Sequence, residues 1–228
     1  MGQAIGDLIP YALGIATSPI AVIAVILMLF SKRGRTNSTS FLAGWTVAVV
    51  GACAVVLAFS RALQNRSRGG SSTTSLIIDV VLGVFLVLLA ARSFQRRPKP
   101  GERVGLPKWL QAIDSLTPVK SALLGGLSPL GGGLNPTNLL LIAGAMVTLS
   151  QHHLAPGGDA VAILVFIIIG ISTIGAPVVV YWCAGKRGQP LLDKTKAWLT
   201  QNNAVVTAAL LFLIGCVLVV EGAHGLST

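Results

Sequence analysis

The stretch GGGLNPTN at residues 131–138 decides the fold, because it interrupts a long apolar segment with residues that a continuous helix does not tolerate. Pro136 has no backbone N–H and its ring clashes with the preceding turn, and the glycines lower helix propensity further. The surrounding apolar segment, residues 121–149, exceeds the roughly 20 residues that one spanning helix needs. The sequence therefore predicts a broken helix or a re-entrant hairpin centred on Asn135-Pro136.

A matching break lies near the start of the chain, where ATSPI at residues 16–20 interrupts the apolar segment 3–30. Two further apolar segments follow each interrupted one, so the chain divides into two halves of the same order. Three crossings per half is an odd number, and the second half must therefore insert upside down relative to the first. Such inverted repeats are typical of secondary transporters.

Six apolar segments, each of spanning length, account for most of the chain; they cover residues 3–30, 39–60, 74–94, 121–149, 160–185 and 203–222. The alternation of a membrane barrel is absent, so these segments are predicted to be helices. The predicted fold is an all-α integral membrane protein with six transmembrane helices in two inverted three-helix repeats, and helices 1 and 4 are broken or re-entrant. The repeats are assigned to residues 1–94 and 121–228, with a basic cytoplasmic linker at 95–120.

The composition agrees with a membrane location. Hydrophobic residues make up 53% of the 228 residues, charged residues only 11%, and the mean hydropathy is +0.79. A net charge of +10 would suggest a nucleic-acid partner in a soluble protein, but here Lys and Arg lie in the short segments between the apolar ones. The charge is interpreted as a topology signal, and no nucleic-acid partner is expected.

The distribution of Lys and Arg also predicts the orientation. They concentrate in the first, third and fifth connections, whereas the fourth, residues 151–158, has none. The positive-inside rule places the basic connections in the cytoplasm. With six crossings, both termini then lie outside the cytoplasm, and we expect a multi-pass protein of the bacterial inner membrane.

Broken backbone at membrane depth is tolerated only where it is buried in protein or lines a wet cavity. The exposed helix ends can hold a polar or charged headgroup there, whereas a proline kink that only shapes packing is the simpler alternative. The candidate substrate-binding residues are Ser18, Pro19, Gly132, Gly133, Asn135, Pro136 and Asn138.

Three acidic residues are candidates for coupling transport to a proton or cation: Asp79, Glu221 and Asp7. Solvation at the interface, or pairing of Asp79 and Glu221 with arginines such as Arg61, is the alternative for them. The neighbouring histidines His152 and His153 are interpreted as solvated turn residues rather than a metal site or pH sensor. No catalytic, cofactor or metal motif is present, so neither an enzyme nor a bound metal or cofactor is expected.

With the repeat and the segment Asn135-Pro136-Thr137-Asn138-Leu139-Leu140-Leu141 in view, the chain resembles the lysine-exporter superfamily. Within it, the chain is similar to the actinobacterial GAP family of sulfolipid- and glycopeptidolipid-addressing proteins. That resemblance implies export of complex glycolipids, while other members of the superfamily expel amino acids or metal ions. Members often carry Lys where this chain has Thr137, and a branch that relays thiols has cysteines where this chain has Ile20 and Thr137, so a thiol relay is not expected.

Three functions follow as hypotheses. The first is a translocator of a lipid or glycolipid towards the outer surface, with the headgroup at the two breaks and the acyl chains in the bilayer. The second is a proton-coupled exporter of a small solute such as an amino acid or cation, and the third is a non-transporting scaffold of a lipid-export complex that acts through residues 92–120. The expected partners are membrane lipids and the cargo, and a homodimer is one arrangement that would enclose a path.

Overall fold

The computed structural model describes residues 1–66, 84, 87–88, 90–92, 94–95, 113, 116–130, 137–152 and 154–227. Within this described part no strand is found. The helices are α1 (Gly2–Ala16), α2 (Pro19–Leu29), α3 (Gly34–Arg66), α4 (Pro118–Leu127), α5 (Thr137–Gln151), α6 (Pro156–Ala184) and α7 (Gln189–Ser227), with a short 3₁₀ turn at Gly185–Gly188. The predicted all-helical class is therefore confirmed for the residues that are described.

The predicted break at Ser18-Pro19 is confirmed. α1 ends at Ala16, α2 begins at Pro19, and the two helix axes differ by 50°. At about 1.5 Å per residue, the 15 and 11 residues of these helices measure about 22 Å and 16 Å. A 50° turn leaves about two thirds of the second length along the first axis, so the pair advances about 33 Å. That length suits one broken span of a hydrocarbon core about 30 Å thick.

The predicted interruption of the fourth segment is also confirmed. α4 ends at Leu127, residues 128–130 form a turn, and α5 begins at Thr137. Pro129 explains where α4 stops, because proline has no backbone N–H to continue the helical hydrogen bonds beyond Ser128. Residues 131–136, which include Gly132, Gly133, Asn135 and Pro136, lie outside the described residues.

Two helix boundaries differ from the sequence expectation. α3 extends over Gly34–Arg66 instead of 39–60, and α7 begins at Gln189 instead of 203. The prediction of a polar connection before the last span is therefore wrong, because that part of the chain is helical. Hydropathy marks the part of a helix that lipid covers, whereas hydrogen bonding continues the helix into polar sequence beyond it.

α3 and α6 are long and apolar enough to span a membrane, and the bent pair α1–α2 adds a third span if it crosses as one. The third predicted segment, 74–94, lies mostly outside the described residues, so six spans and the inverted repeat stay predictions.

The two halves of the chain pack in a crossed manner: α1 packs against α6, and α4 packs against α3. The α3–α4 contact is the closest, because Gly44 faces the backbone carbonyl of Ala122 and Gly125 faces that of Phe41. A Cβ at either glycine would overlap a backbone oxygen. Glycine at these positions lets two helix backbones touch, which is how helices associate where lipid supplies no hydrophobic drive.

Long-range polar contacts sort the helix ends into two groups. At one end, called here the His152 end, His152 contacts Asp7 and Arg61 contacts Asp159. At the other, called the Asn37 end, the Asn37 side chain donates to the Leu116 carbonyl at 3.0 Å, and the Lys196 ammonium lies 5.8 Å from the centre of the Phe30 ring. α3 runs from the Asn37 end to the His152 end, while the α1–α2 pair runs the opposite way, as alternating crossings require.

Candidate polar site at the two helix breaks

The two breaks meet inside the protein. Nδ2 of Asn138 donates a hydrogen bond to Oγ of Ser18 at 3.2 Å, although the residues lie 120 positions apart in sequence. Ser18 is 8% exposed and Asn138 3% exposed, so water does not satisfy these groups in their place. Of the predicted site residues, the structure thus brings together Ser18, Asn138 and the adjacent, buried Pro19.

The break between α1 and α2 is electrostatically one-sided. The last carbonyls of α1 have donors: Thr17 Oγ1 donates to the Leu13 carbonyl at 2.6 Å, and the Thr173 hydroxyl of α6 donates to that of Ala16. In contrast, Ser18 is the N-cap of α2 but makes no side-chain bond to the N–H groups of the first turn. The negative end of α1 is therefore neutralised by hydrogen bonds, while the positive end of α2 has no side-chain cap.

A second helix start lies at the same place, because Asn138 is the second residue of α5. Each helix N-terminus carries a partial positive charge of about half an elementary unit. Where two such ends converge in a water-poor interior, they favour an acceptor oxygen or an anion over a cation. The arrangement can therefore hold a polar group that is rich in oxygen.

Fixed charge is absent from this point among the described residues. The flanking helices bury apolar side chains such as Ile15, Val22 and Leu141. The buried ionisable carboxylate of the described part, Asp159, lies at the His152 end and not at the breaks. The site is thus a neutral polar contact within an apolar surround.

The coupling candidates do not gather at the breaks. Asp7 lies at the His152 end, where its Oδ2 is 2.9 Å from Nε2 of His152. Asp7 precedes Ser18 by eleven positions, about 16 Å at the rise of a helix. Asp79 lies outside the described residues, and the side chain of Glu221 does as well.

Several partners were missed by sequence reasoning. The expectation that His152 is only solvated is wrong, because its side chain is partly buried against Asp7. The Arg61 guanidinium pairs with Asp159, with 2.6 Å between Nη2 and Oδ2. The one available signal for Asp159 was its place in the first turn of a helix that begins with Pro156, where acidic residues are favoured. In the described part of the chain, no group of three or more His, Cys, Asp or Glu residues is placed to hold a metal ion.

Long apolar helices, a bent helix pair and a buried polar contact between two breaks define the chain as a helical membrane protein with an interior polar site. Over residues 8–224 the chain matches the family model described as Sap, sulfolipid-1-addressing protein, and it belongs to that family. The resemblance to the sulfolipid-addressing proteins is thereby confirmed.

A curated relative is the "Sulfolipid-1 exporter Sap" of Mycobacterium tuberculosis (strain ATCC 25618 / H37Rv). The two chains are 23% identical over 235 residues, which cover 94% of this chain and 97% of the relative. No solved structure matches the chain.

Proposed function

We propose that the protein moves a lipid or glycolipid towards the outer surface of the cell membrane, without converting it chemically. The observation that carries the proposal is the buried hydrogen bond between Ser18 and Asn138, which places two helix breaks at one interior point. The name of the mycobacterial relative, a sulfolipid-1 exporter, supports a lipid as the cargo.

The chemistry of the site favours an oxygen-rich and negatively charged headgroup. Hydroxyl and amide groups exchange hydrogen bonds with sugar hydroxyls, and the uncapped start of α2 attracts sulfate or phosphate oxygens. The acyl chains would stay in the bilayer, beside outward-facing apolar side chains such as Val47 of α3 and Ile168 of α6. A headgroup held in this way replaces the Ser18–Asn138 bond with its own contacts.

The proposal includes an orientation. The positive-inside rule puts the Asn37 end in the cytoplasm and the His152 end outside, in the inner membrane of a bacterium with both termini extracytoplasmic. Cargo would then enter from the cytoplasmic leaflet and leave at the His152 end. A homodimer would enclose the path where a single chain leaves it open to lipid.

The competing hypotheses receive less support from the described residues. A proton-coupled exporter of a small solute such as an amino acid or cation needs an acidic residue at the binding site, but Asp7, the candidate whose side chain is described, is held by His152 at one end. A scaffold acting through residues 92–120 would not need a polar contact between the breaks.

Reconstitution in liposomes tests the proposal. The purified protein should move fluorescent sulfated or phosphorylated glycolipids between leaflets, and Asn138→Leu should slow this by about tenfold or more, the loss expected for one buried hydrogen bond to a charged group. The matched control is Asn202→Leu, because Asn202 makes only a local bond to the Trp198 carbonyl in α7. No lipid movement by the wild-type protein, with export restored only when cellular partners are added, would support the scaffold instead.

A further inference from the structure

Two polar side-chain pairs, one hydrogen-bonded Asp–His pair and one Arg–Asp ion pair, lie at the His152 end. One joins Asp7 of α1 to His152, which follows α5, and the other joins Arg61 of α3 to Asp159 of α6. In each pair one partner lies on α1 or α6, which pack together, and the other lies on α3 or directly after α5, which also pack together. Each pair also joins the first half of the sequence to the second.

The contacts at the opposite end are of a different kind. At the Asn37 end, an amide binds a backbone carbonyl and a Lys lies over an aromatic ring, and neither contact is an ion pair between the halves. The close glycine contact of α3 with α4 at Gly44 also lies nearer to this end, since it is seven residues from Asn37 and seventeen from Arg61 along α3. The two side-chain pairs that join α1 and α6 to α3 and α5 therefore lie at the His152 end, whereas the contacts described at the Asn37 end and the close packing of α3 on α4 do not join these two sides.

Both side-chain pairs lie where water can reach them. The side chains of Asp7 and Arg61 are each 33% exposed, so water reaches both pairs from this end and can hydrate the charges when they part. Oδ1 of Asp159 has no hydrogen-bond partner among the described residues, and incoming water would supply one. Water thus offsets part of what is lost when Asp159 leaves Arg61, as a reversible contact requires.

We infer that the Asp7–His152 and Arg61–Asp159 pairs form a gate that closes the polar site at the two breaks towards the His152 end. Both contacts are formed in the structure, which corresponds to the closed state of this gate. The inference rests on the proposed function, since opening the gate would release a headgroup from Ser18 and Asn138 on that side. It adds a role for His152, Arg61 and Asp159 that lipid binding at the breaks does not require.

Cross-linking tests whether the boundary must open. In a variant without native cysteines, Arg61→Cys and Asp159→Cys are combined and joined by a short reducible bifunctional thiol reagent, which spans a separation that a direct disulfide does not. The gate predicts that lipid translocation falls at least about tenfold on cross-linking and recovers on reduction. The control pair, Asp193→Cys with Lys196→Cys, lies within one turn of α7 and should keep its rate. An unchanged rate in the cross-linked Arg61–Asp159 variant overturns the gate.

A second measurement does not depend on transport. In a variant that keeps Cys53 but lacks Cys183 and Cys216, Ser18→Cys is labelled with a membrane-impermeant maleimide from either side of the membrane, alone and combined with Arg61→Ala. The gate predicts that the thiol introduced at position 18 is labelled several times faster in the combined variant than in Ser18→Cys alone. This faster labelling should occur only from the side of the membrane that the His152 end faces. Buried Cys53, which lies in α3 like Arg61, should stay unlabelled, and this shows that the fold is intact. Equal labelling rates with and without Arg61 overturn the gate, whereas faster labelling in a protein that moves no lipid preserves the gate and rejects the proposed cargo.

Discussion

The contact of α3 with α4 gives a prediction in which two similar substitutions have opposite signs. An alanine at Gly44 would place its Cβ against the backbone carbonyl of Ala122, and because that atom is backbone, the helices themselves must separate. Overpacking costs about 1–3 kcal/mol, and we expect the upper end of that range. The better helix propensity of alanine returns about 0.5–1 kcal/mol, which leaves a net loss of stability of roughly 2 kcal/mol.

Gly51 of the same helix is the matched control, because nothing lies within 4 Å of a Cβ built there. Gly51→Ala should therefore gain about 0.5–1 kcal/mol from propensity alone. The two variants should differ by roughly 3 kcal/mol in free energy of unfolding, a factor of about a hundred or more in the equilibrium constant. Reversible unfolding in mixed detergent micelles, followed by tryptophan fluorescence, measures this difference. Equal stability of Gly44→Ala and Gly51→Ala would show that α3 and α4 do not approach as closely as described.

Two further predictions concern charge and orientation. Arg61→Ala leaves the Asp159 carboxylate, whose side chain is 7% exposed, without its partner and should lower the free energy of unfolding by about 2–3 kcal/mol in the same assay. The loss is smaller than for a fully buried pair because Arg61 is partly hydrated. Adding Asp159→Asn should recover part of this stability, and a double variant as unstable as Arg61→Ala would refute the pairing. Exposed Cys183 at the end of α6 should react with an impermeant maleimide in inside-out vesicles but not in intact cells, while buried Cys53 reacts in neither; labelling of Cys183 in intact cells would reverse the proposed orientation.

The breaks were predictable because their cause is local. Proline removes a backbone donor and disfavours the helical conformation of the residue before it, so Ser18-Pro19 ends one helix and starts another wherever the chain is placed. The start of α7 at Gln189 was not predictable from hydropathy. Backbone hydrogen bonds form a helix with polar as well as apolar side chains, so α7 begins at Gln189, whereas the run of apolar residues begins only near residue 203.

Contacts between residues far apart in the sequence could not be predicted from the sequence alone. The contact of Asn138 with Ser18 was anticipated only as a shared location of two breaks, since a hydrogen bond over 120 residues depends on how α1, α2 and α5 pack. The pairing of Arg61 with Asp159 had no local pattern to indicate it. Both residues are ordinary near a membrane interface, and only the packing of α3 against α6 decides which charges meet.

The central claim is that Ser18 and Asn138 act as one unit on the headgroup of a lipid. The most direct test compares the rates of lipid translocation in liposomes for Ser18→Ala, Asn138→Leu and the double variant. If the two residues form one site, each single change should slow translocation, and the double variant should be about as slow as the slower single, because groups that act together are not additive. Full rates in both single variants, or losses that multiply in the double variant, would contradict a shared site at the two helix breaks.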